Sequence, residues 1–209
     1  SKLLDWGLRL CLVLALPSAV ALAIISEPLI ASLFQYGKFT ASDTLMTQRA
    51  LIAYSLGLVG IILVKILAPA FYAQQNIKTP VRIGLVTLLA TQAMNVLFIF
   101  VIPLAHAGLA LAIGLGAMVN ALWLLIGLVR RGAYRPAPGW ARFSMQVLAA
   151  SALLAVFLMW SAGSVNWVAF EGGALLRVGL MAAIVVGAAL LYFVALMLSG
   201  LKLRQFVRK

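Results

Sequence analysis

Acidic residues are scarce in this chain, four among 209, and there is one histidine and one cysteine. Each scarcity removes a chemistry. Asp5, Glu27, Asp43 and Glu171 are spread over the whole length, so neighbours in sequence supply no carboxylate pair for general acid–base work. Cys11 sits alone in an apolar run, which excludes a disulfide within the chain and a cysteine-based metal site. His106 follows Pro103 with no second metal-type residue near it, and reads as a cap on a helix-end carbonyl. No phosphate-cradling glycine loop and no Ser-His-Asp arrangement can be defended. The expectation is no catalytic residue, no metal, no cofactor and no enzyme.

What the chain has in abundance is apolar surface. It is 65% hydrophobic and 10% charged, with mean hydropathy +1.14, outside the range of soluble domains. Sixteen Lys and Arg give a net charge of +12. In a soluble protein that would suggest nucleic acid, but no basic stripe runs along any face, so no nucleic-acid partner is expected. The cations gather instead at the ends of apolar runs, where they orient helices and meet anionic membrane lipids.

A hydrocarbon layer of ~30 Å takes about 20 apolar residues of helix. By that measure six spans are expected: Leu8–Ile25, Leu45–Ala68, Val81–Ile102, Leu109–Val129, Phe143–Trp160 and Ala174–Leu198. Lys2 and Arg9, then Lys78 and Arg82, then Arg130, Arg131, Arg135 and Arg142, and finally Lys202, Arg204, Arg208 and Lys209 occupy alternate junctions. The junctions between hold Glu27, Asp43 and Glu171, with Lys38, Arg49 and Arg177 nearby. Lys and Arg flanking spans stay in the cytoplasm, so both chain ends are expected there. The expected class is an all-α integral membrane protein with six transmembrane helices. Pro17 removes a backbone donor inside the first span, and a neighbouring helix is expected to satisfy the freed carbonyl. Leu29–Tyr36 is too short to span and reads as an interfacial or re-entrant helix, and Thr40 and Ser42 offer N-caps to the second span. Trp140, Trp160 and Trp167 fall at expected interfaces. A turn-rich linker, residues 131–142, separates four spans in 1–130 from a closing pair and basic tail in 143–209. The chain opens at Ser1 and soon enters a span without a cleavable signal sequence, which reads as a piece of a longer protein.

Polar groups at membrane depth are the functional candidates. Lys65 lies well inside the second span, and two roles fit it: a cation facing a wet cavity and available to an anionic substrate, or a lysine snorkelling to the interface, which Pro69 would bring closer by shortening the helix. Gln92 and Asn95, three residues apart with Thr91 beside them, share a face of the third span. They suit an ion or a sugar hydroxyl, or hydrogen bonds between helices, and Asn120 of the fourth span could pair with them. Gly57, Gly60, Gly114 and Gly116 suit close helix packing. The closing pair carries no charge between Val147 and Met159 or between Met181 and Met197, so Leu153 and Val185 are candidates for a surface that holds a lipid tail.

From Lys65 the stretch Lys65-Ile66-Leu67-Ala68-Pro69-Ala70-Phe71-Tyr72-Ala73, continued by Gln74-Gln75-Asn76-Ile77-Lys78-Thr79-Pro80-Val81, resembles a signature of the MurJ/MviN family of lipid II flippases. Ala15-Leu16-Pro17-Ser18-Ala19, Leu33-Phe34-Gln35-Tyr36-Gly37-Lys38-Phe39, His106-Ala107-Gly108-Leu109 and Tyr134-Arg135-Pro136-Ala137-Pro138-Gly139-Trp140 extend it. The resemblance implies a two-lobed transporter of fourteen helices in the MOP exporter superfamily, of which this chain would be helices nine to fourteen. Residues 1–130 would then be the last four helices of the C-terminal lobe. It also implies a bacterial inner-membrane protein that moves lipid II, the undecaprenyl-pyrophosphate-linked peptidoglycan precursor, outward by alternating access together with the N-terminal helices missing here. The family's cationic cavity draws its arginines mainly from its first, second and eighth helices. Some relatives hold sodium with carboxylates on the seventh and eleventh helices. The matching helix here offers Thr91, Gln92 and Asn95 and no carboxylate, which speaks against the same ion site. Gln146 stands where some relatives carry an arginine. Two other readings stay open: a different MOP exporter, for drugs or lipid-linked glycans, or a non-transporting membrane scaffold.

Overall fold

In the computed structural model, residues 2–34, 40–100, 105–167 and 173–201 are described. The side chain of His106, Lys38, Glu171 and the basic tail from Lys202 lie outside the described residues. The elements are seven helices: α1 (Lys2–Ile24), α2 (Ser26–Phe34), α3 (Ala41–Tyr72), α4 (Lys78–Phe100), α5 (Ala105–Arg130), α6 (Trp140–Gly163) and α7 (Ala174–Leu198). All but α2 are long and apolar enough to cross a membrane.

Each of the six expected spans falls on a helix, with Val101 and Ile102 of the third outside the described residues, and several helices run past the expected starts or ends. α1 begins at Lys2 rather than Leu8. α3 has 32 residues, about 48 Å at 1.5 Å per residue, well beyond a ~30 Å hydrocarbon layer. Pro69 does not shorten it. The helix continues to Tyr72, and Ala73 N–H still reaches Pro69 O at 2.9 Å. At its start Thr40 and Asp43 form a reciprocal capping box, as the sequence suggested for Thr40.

Glycines set the packing. α3 and α5 run parallel, and a Cβ built on Gly57 would stand 2.0 Å from Gly114 Cα, while one on Gly60 would stand 2.7 Å from Met118 Cα. Backbone therefore meets backbone, which only small residues allow in a membrane bundle. Gly116 instead makes room for a side chain of α4: a Cβ there would run into Thr91 Oγ1. Leu67 and Phe71 of α3 close the lower half of this bundle against Leu124 and Leu128 of α5, with Leu8 of α1.

The closing pair docks elsewhere. Val147, Leu154 and Leu158 of α6 and Met181, Tyr192 and Leu196 of α7 bury against Val13 of α1, Ile25 just before α2 and Ala31 within α2. Pro17 has no N–H to give Val13 O, and the Tyr192 hydroxyl donates to that oxygen at 2.7 Å from α7. The expected satisfaction from a neighbouring helix is thus supplied by a named side chain. Tyr192→Phe should destabilise the protein by about 1–3 kcal/mol, the cost of one unsatisfied buried acceptor. In a Pro17→Ala background the loss should largely vanish, because the helix recovers its own donor. Thermal melting of the full-length protein reads both, and equal losses in the two backgrounds would sink this account.

Arg177, buried at the start of α7, donates through Nη1 to Ala31 O of α2 at 2.9 Å and ties the short helix down. Trp167 departs from an interfacial belt position. It is buried and its indole donates to Ala162 O at 2.7 Å.

Candidate functional site

Lys65 is exposed on α3, off the face that carries Gly57 and Gly60 onto α5, and on the same side of the helix as the exposed Tyr54 and Tyr72. It has no hydrogen bond or ion pair among the described residues. Beside it, Leu3, Trp6, Leu10, Leu14, Ile62, Ile66 and Pro69 line an apolar groove of 860 Å³ between α1 and α3. The indole nitrogen of Trp6 is buried there without a hydrogen-bond partner among the described residues.

The amides of α4 and α5 form a separate feature. Asn95 Nδ2 donates to Gln92 Oε1 at 3.3 Å within α4, so these two engage each other rather than a second helix. Thr91 returns its hydroxyl to Thr87 O at 2.7 Å. Asn95 Oδ1 and Asn120 Oδ1 are both buried without a hydrogen-bond partner among the described residues. They do not pair. Gly116 faces Thr91 in an antiparallel crossing, which sets Asn120 against the turn of Thr87 and Asn95 against the turn of Ala112. At 1.5 Å per residue the two asparagines are about 12 Å apart along the bundle. The parallel register of Gly57 on Gly114 puts Lys65 level with Leu122, about 10 Å from the level of Gln92. The sequence candidates thus fall into two places, a cation beside an apolar groove and an amide seam.

Leu153 and Val185 are 53% and 41% exposed, on α6 and α7 surfaces that no described element covers. Gln146 donates to Ser199 O at 2.7 Å and pins the start of α6 to the end of α7.

The feature that sequence reasoning missed centres on Asp5. Its Oδ1 accepts from the Tyr134 hydroxyl at 2.7 Å, the Trp140 indole at 2.7 Å and the Ala137 backbone N–H at 3.2 Å. Oδ2 accepts from Arg9 Nε at 2.9 Å. Arg9 also lies over the rings of Trp140 and Phe143, 5.1 and 5.3 Å from their centroids, and donates to Pro138 O. Burial first, then the bond to Asp5, pushes the Tyr134 phenol above its ordinary range, so it remains a donor at physiological pH. One carboxylate at the start of α1 therefore holds the whole linker between α5 and α6. Arg9 four residues on was the one local hint of it.

Asp5, the linker, and the pairing of Arg131 with Thr79 gather Lys2, Arg9, Lys78, Arg82, Arg130, Arg131, Arg135 and Arg142 at one end of the bundle. Glu27, Asp43, Arg49 and Arg177 lie toward the other. No group of three or more His, Cys, Asp or Glu that could hold a metal occurs among the described residues.

Apolar helices joined through glycine contacts, with polar side chains at span depth, define a polytopic α-helical membrane protein. The chain belongs to the MurJ family: residues 1–198 match the family model described as lipid II flippase MurJ. It is 50% identical over all 209 residues to the lipid II flippase MurJ of Burkholderia cenocepacia, covering 40% of that relative. The probable lipid II flippase MurJ of Haemophilus influenzae is 31% identical over 207 residues, 99% of this chain and 40% of its own length. The fold matches a solved structure of lipid II flippase MurJ in an inward closed conformation with a TM-score of 0.66 at 22% identity, covering 92% of this chain and 37% of that one. The chain thus spans about two fifths of the relatives it matches over its whole length.

Proposed function

We propose that this chain is the C-terminal part of a lipid II flippase, which carries undecaprenyl-pyrophosphate-linked peptidoglycan precursor from the inner to the outer leaflet of the bacterial inner membrane by alternating access. The observation that carries this reading is the 50% identity to a lipid II flippase MurJ over the whole chain. The N-terminal helices of the same protein would complete the transport path. Growth of a flippase-depleted bacterium on the full-length protein tests it; failure to grow at normal membrane abundance would count against it.

In this reading the basic end is cytoplasmic. Single cysteines in a Cys11→Ser background check the orientation. One at Ala137 should be shielded from an impermeant thiol reagent outside intact cells, and one at Ser42 should label. The opposite pattern would invert the topology.

Lys65 is the cation we assign to the substrate path, since an exposed, unpaired charge at span depth suits an anionic pyrophosphate. The amide seam of Gln92, Asn95 and Asn120 would face sugar hydroxyls or reorganise as the lobes move. Leu153 and Val185 would lie against the prenyl tail, which needs only apolar area. A hydrogen bond to a charged group is worth about 1.5–3 kcal/mol, so Lys65→Ala should weaken substrate binding by about tenfold or more. Complementation should fall at unchanged abundance, with Lys65→Arg milder. Full activity of the alanine variant would assign Lys65 to snorkelling.

A further inference from the structure

At the basic end, the first turns of α4 and the last turn of α5 with Arg131 enclose a cleft of 470 Å³. Lys78, Arg82, Arg130 and Arg131 line it, and no carboxylate does. Lys78, Arg82 and Arg130 have no side-chain hydrogen bond or ion pair among the described residues. Arg131 is held by neutral groups only: Nη2 donates to Thr79 Oγ1 at 2.8 Å, and its guanidinium lies 5.8 Å from the Phe71 ring centroid. Four like charges thus converge on one space with no carboxylate among the described residues to compensate them, an arrangement that an anion relieves.

The wall beside the cations is of the opposite character. Ile83, Val86 and Trp123 continue the cleft along the span, and Trp123 is 44% exposed. A free phosphate would use only the charged rim. A phospholipid would use both parts, with its phosphodiester at the cations and its glycerol and upper acyl chains on the apolar wall. Basic pockets between membrane helices at the headgroup level take anionic lipids in this way. The place also differs from the proposed transport path, because Lys65 is exposed on α3, off the face that carries Gly57 and Gly60 onto α5.

We propose that the cleft between α4 and α5 is a binding site for the phosphodiester headgroup of an anionic phospholipid of the surrounding leaflet. Arg130 and Arg131 grip the phosphate oxygens, while Lys78 and Arg82 favour a headgroup with net negative charge over a zwitterionic one. The full-length protein, stripped of lipid in detergent, tests this by native mass spectrometry with phosphatidylglycerol, phosphatidylethanolamine or inorganic phosphate added. Phosphatidylglycerol should bind at least tenfold more tightly than phosphatidylethanolamine. Lys78→Gln/Arg82→Gln and Arg130→Gln/Arg131→Gln should each lower its occupancy at least fivefold. The charge-matched control Lys2→Gln/Arg135→Gln should leave it unchanged, and Arg130→Lys/Arg131→Lys should keep part of it in a folded protein. Equal binding of the two lipids, undiminished binding in both Gln variants, or an equal loss in the control would overturn the proposal. Displacement of the lipid by millimolar inorganic phosphate would overturn it too, because the site would then be one for free phosphate.

Discussion

Gly57→Ala is expected to remove the folded protein from the membrane. The new methyl would stand 2.0 Å from Gly114 Cα and 2.8 Å from Gly114 O, and both are backbone atoms that no rotamer change can move aside. Overpacking a core commonly costs about 1–3 kcal/mol where side chains can shift. Here α3 must separate from α5, and the contacts of Leu67 and Phe71 with Leu124 and Leu128 loosen with it. The loss should therefore exceed that range, and membrane abundance of the full-length protein should fall severalfold. Gly84→Ala is the control, since nothing lies within 4 Å of its Cβ position. It should be neutral or stabilise by about 1 kcal/mol through helix propensity. Equal abundance of the two variants would mean that the α3–α5 contact is not as close as described.

Asp5→Ala should have the second large effect. It takes the acceptor from Tyr134, Trp140 and Ala137 N–H together and leaves Arg9 without its carboxylate. Removing one partner of such a buried, charged network costs about 3–5 kcal/mol. Asp5→Asn keeps one acceptor and should cost less. The linker is the element that should loosen, so protease cutting between Arg131 and Trp140 in the full-length protein should accelerate at least tenfold for Asp5→Ala. Unchanged cutting would show that the proline-containing linker is held by its own packing.

The number and place of the helices were legible because each span is a long apolar run bounded by charge. Lys65 was legible as a lone charge, and Pro17 as the source of a freed carbonyl. Its donor was not, since Tyr192 lies on a helix 179 residues from Val13 and reads as one polar tip in an apolar stretch. Small residues on α3 and α5 announced close packing, yet only the three-dimensional register says that Gly57 meets Gly114 and Gly116 meets Thr91. That register also separates Asn120 from Asn95, which hydropathy alone had left free to pair. Asp5 was the largest omission. Its partners lie 129 to 135 residues away, so no periodicity points to them. The Pro69 expectation failed because Phe71 just after it is fully buried against α5, with Ala70 partly buried beside it, so α3 continues through the missing hydrogen bond.

The central claim, that this chain serves in the outward movement of lipid II, is tested most directly in cells depleted of their own flippase and supplied with the full-length protein. An enzyme confined to the periplasm that degrades lipid II reports how much of it reaches the outer leaflet. Degradation product should return to the level of undepleted cells, and Lys65→Ala should lower it at equal abundance. Product no greater than in depleted cells, with the protein present in the membrane at normal level, would contradict it.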